Sequence, residues 1–308
     1  MSLLARIQSF DQLLGELGGL FGEFWPVGAG AFFVSLIATP ICRALALKKK
    51  IVDRPDDFLK PHKKPIPYLG GVAIFMGWGC GVLMGYLRFG MPRETLAYLI
   101  AGLAIMLIGL FDDLRVMQPR TKLLANIAVA AWLIYSGLGG DMFHILTDLA
   151  RLTLDSPLEK AVVMVYSVPV AVFVIVGACN AANLLDGLDG LCGGVLGIIS
   201  VGFLILAVHL ALLYPPVGSE DQQRIILSLA MLGAAVGFLP YNRNPATIFM
   251  GDAGSMLLGL NAAMLILLFA EAGMVRWLVG ALIVFGLPVA DMVLTLVRRW
   301  RNAKPLMQ

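Results

Sequence analysis

The chain has 308 residues, 59% of them hydrophobic and 14% charged, with a mean hydropathy of +0.86. A soluble globular domain carries about 25% charged residues, so this composition excludes one and specifies a polytopic membrane protein with room for about nine or ten spans. A formal net charge of +3 says little about partners, and no nucleic acid is expected among them.

Taken in chain order, residues 1–23 carry Asp11, Glu16 and Glu23 among leucines and glycines, without a basic leader or a cleavage site. That pattern predicts an amphipathic lead-in lying on the membrane, not a cleaved signal peptide. Apolar runs then predict spans at 26–47, 69–88, 95–111, 121–138, 161–178, 191–214, 224–240, 255–270 and 276–297. The fold class is therefore all-α: a helical bundle of about nine spans forming one membrane-embedded domain over 1–308. Most runs are apolar all round, so periodicity cannot separate lipid-facing from buried faces. Cys42, Cys80, Cys179 and Cys192 sit in or beside these runs with no Cys-x-x-Cys pair, as buried thiols do.

Basic residues set the orientation. With alternating spans, one side receives the loop 43–64, Arg115, Arg120, Lys122, Arg243 and the cluster from Arg298 to Lys304, which is sixteen of the 23 Lys and Arg. The positive-inside rule makes that side cytoplasmic and puts the N-terminus outside. The acidic clusters Asp112-Asp113, Asp186 with Asp189, Asp252, and Asp291 then all fall on the cytoplasmic side. Carboxylates at the ends of spans are expensive to desolvate and point to function. Because the orientation used only basic residues, this convergence is independent of it.

Each cluster has a chemical reading and a bland one. Adjacent Asp112 and Asp113 repel unless a cation or a neighbouring base compensates; the bland reading is a solvated helix end, which the helix dipole disfavours. Asn180, Asn183, Asp186 and Asp189 recur every three residues. On a helix or 3₁₀ turn they share one face and offer oxygen donors to a hard cation such as Mg²⁺, against the alternative of a polar loop. Phe249-Met-Gly-Asp252-Ala-Gly-Ser255 reads as a metal carboxylate beside an aromatic that stacks on a base, or as an Asp cap and Gly turn. His62, Lys63 and Lys64 lie in a Pro-stiffened entry to the second span and suit phosphates, or serve topology alone. Asp291 follows Pro288, which kinks its span, and either pairs with a basic group or lines the site.

In combination these motifs resemble the integral-membrane polyprenyl-phosphate sugar-1-phosphate transferases. The resemblance runs from about Val52 to Arg299, through Asp53-Arg-Pro-Asp, His62-Lys-Lys-Pro-Ile-Pro-Tyr-Leu-Gly-Gly, Gly109-Leu-Phe-Asp-Asp, Asn183-Leu-Leu-Asp-Gly-Leu-Asp-Gly, Phe249-Met-Gly-Asp-Ala-Gly-Ser and Pro288-Val-Ala-Asp. It implies transfer of a sugar-1-phosphate, GlcNAc-1-phosphate first, from a UDP-N-acetylhexosamine to undecaprenyl or another polyprenyl phosphate at the cytoplasmic face of a bacterial inner membrane. It also implies release of UMP and a cofactor of Mg²⁺, with Mn²⁺ as the alternative. Carried over by resemblance, Asp112 and Asp113 are catalytic, and Asp189 and Asp252 hold the metal. Lys63, Lys122, Asn183, Asp186 and Phe249 bind substrate, with His62, Asn180 and Asp291 as secondary candidates. A homodimer stays open. So do three alternatives: a lipid I translocase, an inactive truncated homologue, and an ion-coupled transporter. The first differs only in substrate; the last would place its acids near the bilayer midplane. Tyr68 stands where the N-acetylhexosamine branch commonly has Arg. The family continues past its last Arg-Arg with a His-rich loop and a further span, which are expected to be absent from a chain ending at Gln308.

Overall fold

The computed structural model describes residues 10–53, 65–90, 93–139 and 157–302. Its helices are α1 Phe10–Lys49, α2 Gly70–Phe89, α3 Arg93–Leu114, α4 Pro119–Tyr135, α5 Pro157–Leu185, α6 Leu191–Leu213, α7 Ser219–Asn242, α8 Gly251–Glu271, α9 Val275–Val284 and α10 Gly286–Arg301. Two short strands, β1 (Val52–Asp53) and β2 (Ile66–Pro67), pair antiparallel, with Val52 opposite Pro67. Eight of the nine apolar runs each fall on one helix, and the ninth, 276–297, is divided between α9 and α10. Among the described residues seven helices are long and apolar enough to cross a membrane, and α9 with α10 form a bent eighth. The remaining run is α4, with 17 residues. All-helical spanning follows from the lack of water to satisfy backbone groups in lipid.

Residues 10–23 do not break from the first span: they continue into it as one 40-residue helix. The bend of 64° in the last span falls between Val284 and Gly286. Its cause is Pro288, which has no N–H to give the carbonyl of Val284 one turn earlier and whose ring crowds it. In the first turn of α10 the same proline is harmless, because that N–H would lack a partner anyway.

α8 is the axis of the bundle, with α2, α3, α5 and α7 around it, and its span is wholly buried. A helix apolar all round suits such a place as well as it suits lipid. Small residues let its neighbours come close. A Cβ on Gly71 or Gly109 would strike the backbone of Ala253, and one on Gly259 would strike Ala178. Lipid offers no hydrophobic drive between spans, so close backbone packing and buried polar ties hold them. Trp78 Nε1 donates to Asn261 Oδ1 at 2.7 Å, Asn261 donates to the Leu227 carbonyl, and Ser35 donates to Ala234 O at 2.8 Å. These ties join α2, α8, α7 and α1. All four cysteines are free; three are buried and Cys80 is half-buried.

Candidate active site

The start of α8 is the centre of the site. Gly251 opens the helix with φ +65, a left-handed conformation, and a Cβ there would press into the Asp113 carboxylate. Helix starts leave backbone N–H groups without partners. Here Asp113, from the end of α3, supplies them: the N–H of Asp252 donates to Asp113 Oδ1 at 2.8 Å and that of Ala253 to Oδ2 at 3.3 Å. Asp113 is thus an N-cap donated from another helix, and its charge suits the positive end of the α8 dipole.

Its neighbour Asp112 points elsewhere, because adjacent helical residues do not face each other. Asp112 Oδ2 pairs with Lys122 of α4 at 2.8 Å, and Oδ1 accepts from the Met117 N–H at 2.6 Å. Lys122 also pairs with Asp252 Oδ2. The other oxygen of Asp252 accepts from Asn183 Nδ2 at 2.6 Å, and the same amide reaches Ser255 Oγ at 3.2 Å. Lys122 and Asp112 are only 16% and 15% exposed, so their attraction is not screened as a surface pair would be. Asp112, Lys122, Asp252 and Asn183 therefore form one chain across α3, α4, α8 and α5.

The row of polar residues on α5 does not stay on one face. α5 ends at Leu185, and residues 186–190 form a turn closed by Gly190 at φ +75. Asn183 reaches Asp252, whereas Asn180 donates to the Val176 carbonyl of its own helix. Asp189 turns to the segment after α7, accepting from Asn244 Nδ2 at 3.2 Å and the Ala246 N–H at 2.9 Å. Asp186 stays with the central acids. Burial pushes its carboxyl well above the usual carboxylate range, and the nearby charges of Asp252, Asp113 and Asp189 push it further.

Phe249 is clamped by its backbone. Its N–H donates to Pro67 O at 2.9 Å, and its carbonyl accepts from the Gly70 N–H at 3.0 Å. The half-buried ring lies 5.7 Å from that of Tyr68, tilted by 52°. Desolvation raises the Tyr68 phenol, and the Asp53 carboxylate that it hydrogen-bonds raises it further. Beside Asp189 an open cleft of about 780 Å³ is lined by Leu188, Gly190, Pro240, Arg243 and Asn244. Arg243 entered the sequence argument only as a topology signal; the signal for more was its place six residues before Phe249. Asp291 sits half-buried on α10, which packs on α5. His62 and Lys63, with Lys64, lie outside the described residues.

Among the described residues no three His, Cys, Asp or Glu side chains converge as a closed cation cage. Mg²⁺ does not need one, since it is usually held by one or two carboxylates together with substrate phosphates and waters. Asp186 feels the charges of Asp252, Asp113 and Asp189, but these carboxylates do not converge on one point.

Residues 95–270 match the family described as Glycosyl transferase family 4. The chain is 34% identical over 285 residues to a probable undecaprenyl-phosphate N-acetylglucosaminyl 1-phosphate transferase of Bacillus subtilis (strain 168), covering 90% of this chain and 73% of that protein. It is 32% identical to a decaprenyl-phosphate N-acetylglucosaminephosphotransferase of Mycolicibacterium smegmatis, over 76% of this chain and 57% of that protein. A phospho-N-acetylmuramoyl-pentapeptide-transferase of Thermodesulfovibrio yellowstonii is 34% identical, over 74% of this chain and 66% of that protein. The chain thus spans less than two thirds of the mycobacterial relative's length.

Proposed function

The chain belongs to glycosyl transferase family 4, and on that premise we propose that it transfers a sugar-1-phosphate, GlcNAc-1-phosphate first, from a UDP-sugar to undecaprenyl phosphate. The site faces the cytoplasm of a bacterial inner membrane, and UMP is released. The observation that carries this reading is the Asp112–Lys122–Asp252–Asn183 chain at the capped start of α8. It sets a cation among carboxylates at the end of a span, where phosphates arriving from cytosol and from lipid can meet.

The reaction brings two anions together. An oxygen of the acceptor phosphate attacks the β-phosphorus of the UDP-sugar. The bond from that phosphorus to the bridging oxygen breaks, and UMP leaves with the electron pair. Lys122 offsets the repulsion by holding phosphate oxygens. Asp252, with Asp186 beside it and Asp189 at the edge, would hold Mg²⁺, which when bound neutralises the diphosphate and the leaving UMP. Asn183 keeps Asp252 in one rotamer. Phe249 offers its ring face to uracil, and the cleft beside Arg243 accommodates the remainder of the nucleotide-sugar. A lipid phosphate is already ionised near neutral pH, so direct attack needs no general base. Asp113, with both oxygens on backbone N–H groups, is a positioning residue in this scheme.

The test is UMP release by the purified chain from UDP-GlcNAc and undecaprenyl phosphate, with and without Mg²⁺. Mg²⁺-dependent release is the expected result. Release only with UDP-MurNAc-pentapeptide would move the chain to lipid I synthesis, and silence with every UDP-sugar would overturn the reading.

A further inference from the structure

Asn242, the last residue of α7, is 2% exposed and has a polar partner on each side. Its Oδ1 accepts from the Gly190 N–H at 3.2 Å, and its Nδ2 donates to the Ile248 carbonyl at 3.1 Å. We infer that Asn242 is a positioning residue for the nucleotide-sugar: its amide joins the turn that carries Asp186 and Asp189 to the segment that carries Phe249. The inference rests on the function proposed above and names what holds the two walls of its pocket together.

The open cleft of about 780 Å³ has Leu188, Asp189 and Gly190 on one wall and Pro240, Arg243 and Asn244 on the other, and Asn242 does not line it. The walls come close where Asn242 sits, since a Cβ on Gly190 would lie 3.2 Å from Arg243 Cα. Beyond α7 the chain turns back, with the Thr247 N–H donating to the Tyr241 carbonyl at 2.9 Å, and this brings Ile248 beside Asn242. A side-chain amide carries an acceptor and a donor that point apart. Asn242 therefore takes the N–H of one wall and the carbonyl of the other at once.

Two observations set it apart from an ordinary buried asparagine. Asn180 gives its amide to its own helix, a competition open to any short polar side chain, whereas Asn242 sends both of these bonds across to other segments. The second is a parallel tie between the same two pieces: Asp189 accepts from Asn244 Nδ2 and from the Ala246 N–H. That tie uses a carboxylate assigned above to the ligand, so a ligand on Asp189 competes with it. The buried amide has no such second duty, and it keeps the walls together while Asp189 is engaged.

The experiment compares the parent with Asn242→Leu, which removes both bonds at nearly constant volume, and with Asn242→Ser, whose hydroxyl is too short to span both partners. The control is Asn261→Leu, which removes another buried bridging amide, between Trp78 and the Leu227 carbonyl, about 15 Å along α8 from the site. KM for UDP-GlcNAc and for undecaprenyl phosphate is measured in detergent at saturating Mg²⁺. Loss of two neutral hydrogen bonds leaves the joined arrangement populated about one part in ten, so Asn242→Leu should raise UDP-GlcNAc KM about tenfold. Acceptor KM should hold, and Asn242→Ser should show a smaller rise of the same kind, which carries the comparison if Asn242→Leu does not fold. Asn261→Leu should lower thermal stability and leave both KM values at the parent's. Hydrogen exchange followed by mass spectrometry needs no turnover: peptides over 186–191 and 243–250 should exchange faster in the Asn242 variants, with α8 unchanged. Parental exchange in both peptides overturns the inference. So does an equal rise in both KM values, or the same UDP-GlcNAc rise in the control, since either makes Asn242 a matter of stability alone. If the parent releases no UMP from any UDP-sugar, the function proposed above fails by itself, and the exchange data still decide whether Asn242 joins the two walls.

Discussion

Asp113 carries the sharpest test of how the site is built. Replacing it with Ala removes both acceptors from the first N–H groups of α8, at 2.8 Å and 3.3 Å. Loss of a cap costs about 0.5–2 kcal/mol, and loss of a carboxylate at a partly buried helix N-terminus adds up to about 2 kcal/mol. We expect Asp113→Ala to destabilise the protein by about 2–3 kcal/mol, and Asp113→Asn, which keeps one acceptor oxygen, by about 1 kcal/mol. Gly251→Ala should resemble the first, since its methyl presses on the same carboxylate and its left-handed φ costs a side chain about 1–2 kcal/mol. Thermal unfolding in detergent, read beside UMP release, checks the series. Turnover should fall in the order of lost stability, because Asp252 is misplaced as the cap fails. An Asp113→Ala protein with parental stability and no turnover would refute the cap and make Asp113 a chemical participant.

Lys122→Met leaves Asp112 and Asp252 facing each other without their shared cation, a loss of about 3 kcal/mol for a part-buried pair; stability and turnover should both drop, and retained turnover would remove Lys122 from phosphate handling. Asp186 is raised by burial and by neighbouring acids, so a cation binding there must displace its proton. Apparent Mg²⁺ affinity should therefore climb with pH above the usual carboxylate range, and Asp186→Asn should flatten that dependence in calorimetry across buffers. Phe249→Ala should raise UDP-sugar KM through lost stacking of about 1–3 kcal/mol, and a parental KM would take the ring out of the pocket. The amide of Asn126 is 1% exposed, with neither of its polar atoms partnered among the described residues. Asn126→Leu should raise thermal stability by about 1–3 kcal/mol, and a fall would show that the amide has a partner.

Much of this architecture was legible in the chain. The apolar runs fix the helices because lipid permits little else. The joining of Asp112, Asn183 and Asp252 follows from their places at the ends of spans. Spacing failed where it assumed regular structure to continue. The three-residue row from Asn180 to Asp189 shares a face only while a helix lasts, and α5 stops at Leu185. Beyond it the chain is steered by Gly190 and by bonds to Asn244 and Ala246, partners more than fifty residues away that no local pattern encodes. Asn180 shows the opposite failure. It lies on the helix as expected, yet the carbonyl one turn back captures its amide, a competition open to any short polar side chain.

Asp112 and Asp113 show what a motif conceals. As a pair of letters they suggest one carboxylate site with a shared charge problem. A helix turns about 100° per residue, so the two carboxylates leave α3 in different directions. One reaches a lysine on α4, and the other reaches the backbone of α8. The repulsion expected between them is relieved by separation as well as by cation pairing. A glycine without a side chain at 109 lets α3 approach α8 closely enough for the cap to form, since a Cβ there would meet the backbone of Asp252 and Ala253. Gly109 and Asp113 are one helical turn apart, so the close approach and the cap lie on the same face of α3. Gly109-Leu-Phe-Asp-Asp is thus at once a docking surface for α8 and the source of the acid that pairs with Lys122, and a substitution at Gly109 should damage the site without touching a polar atom.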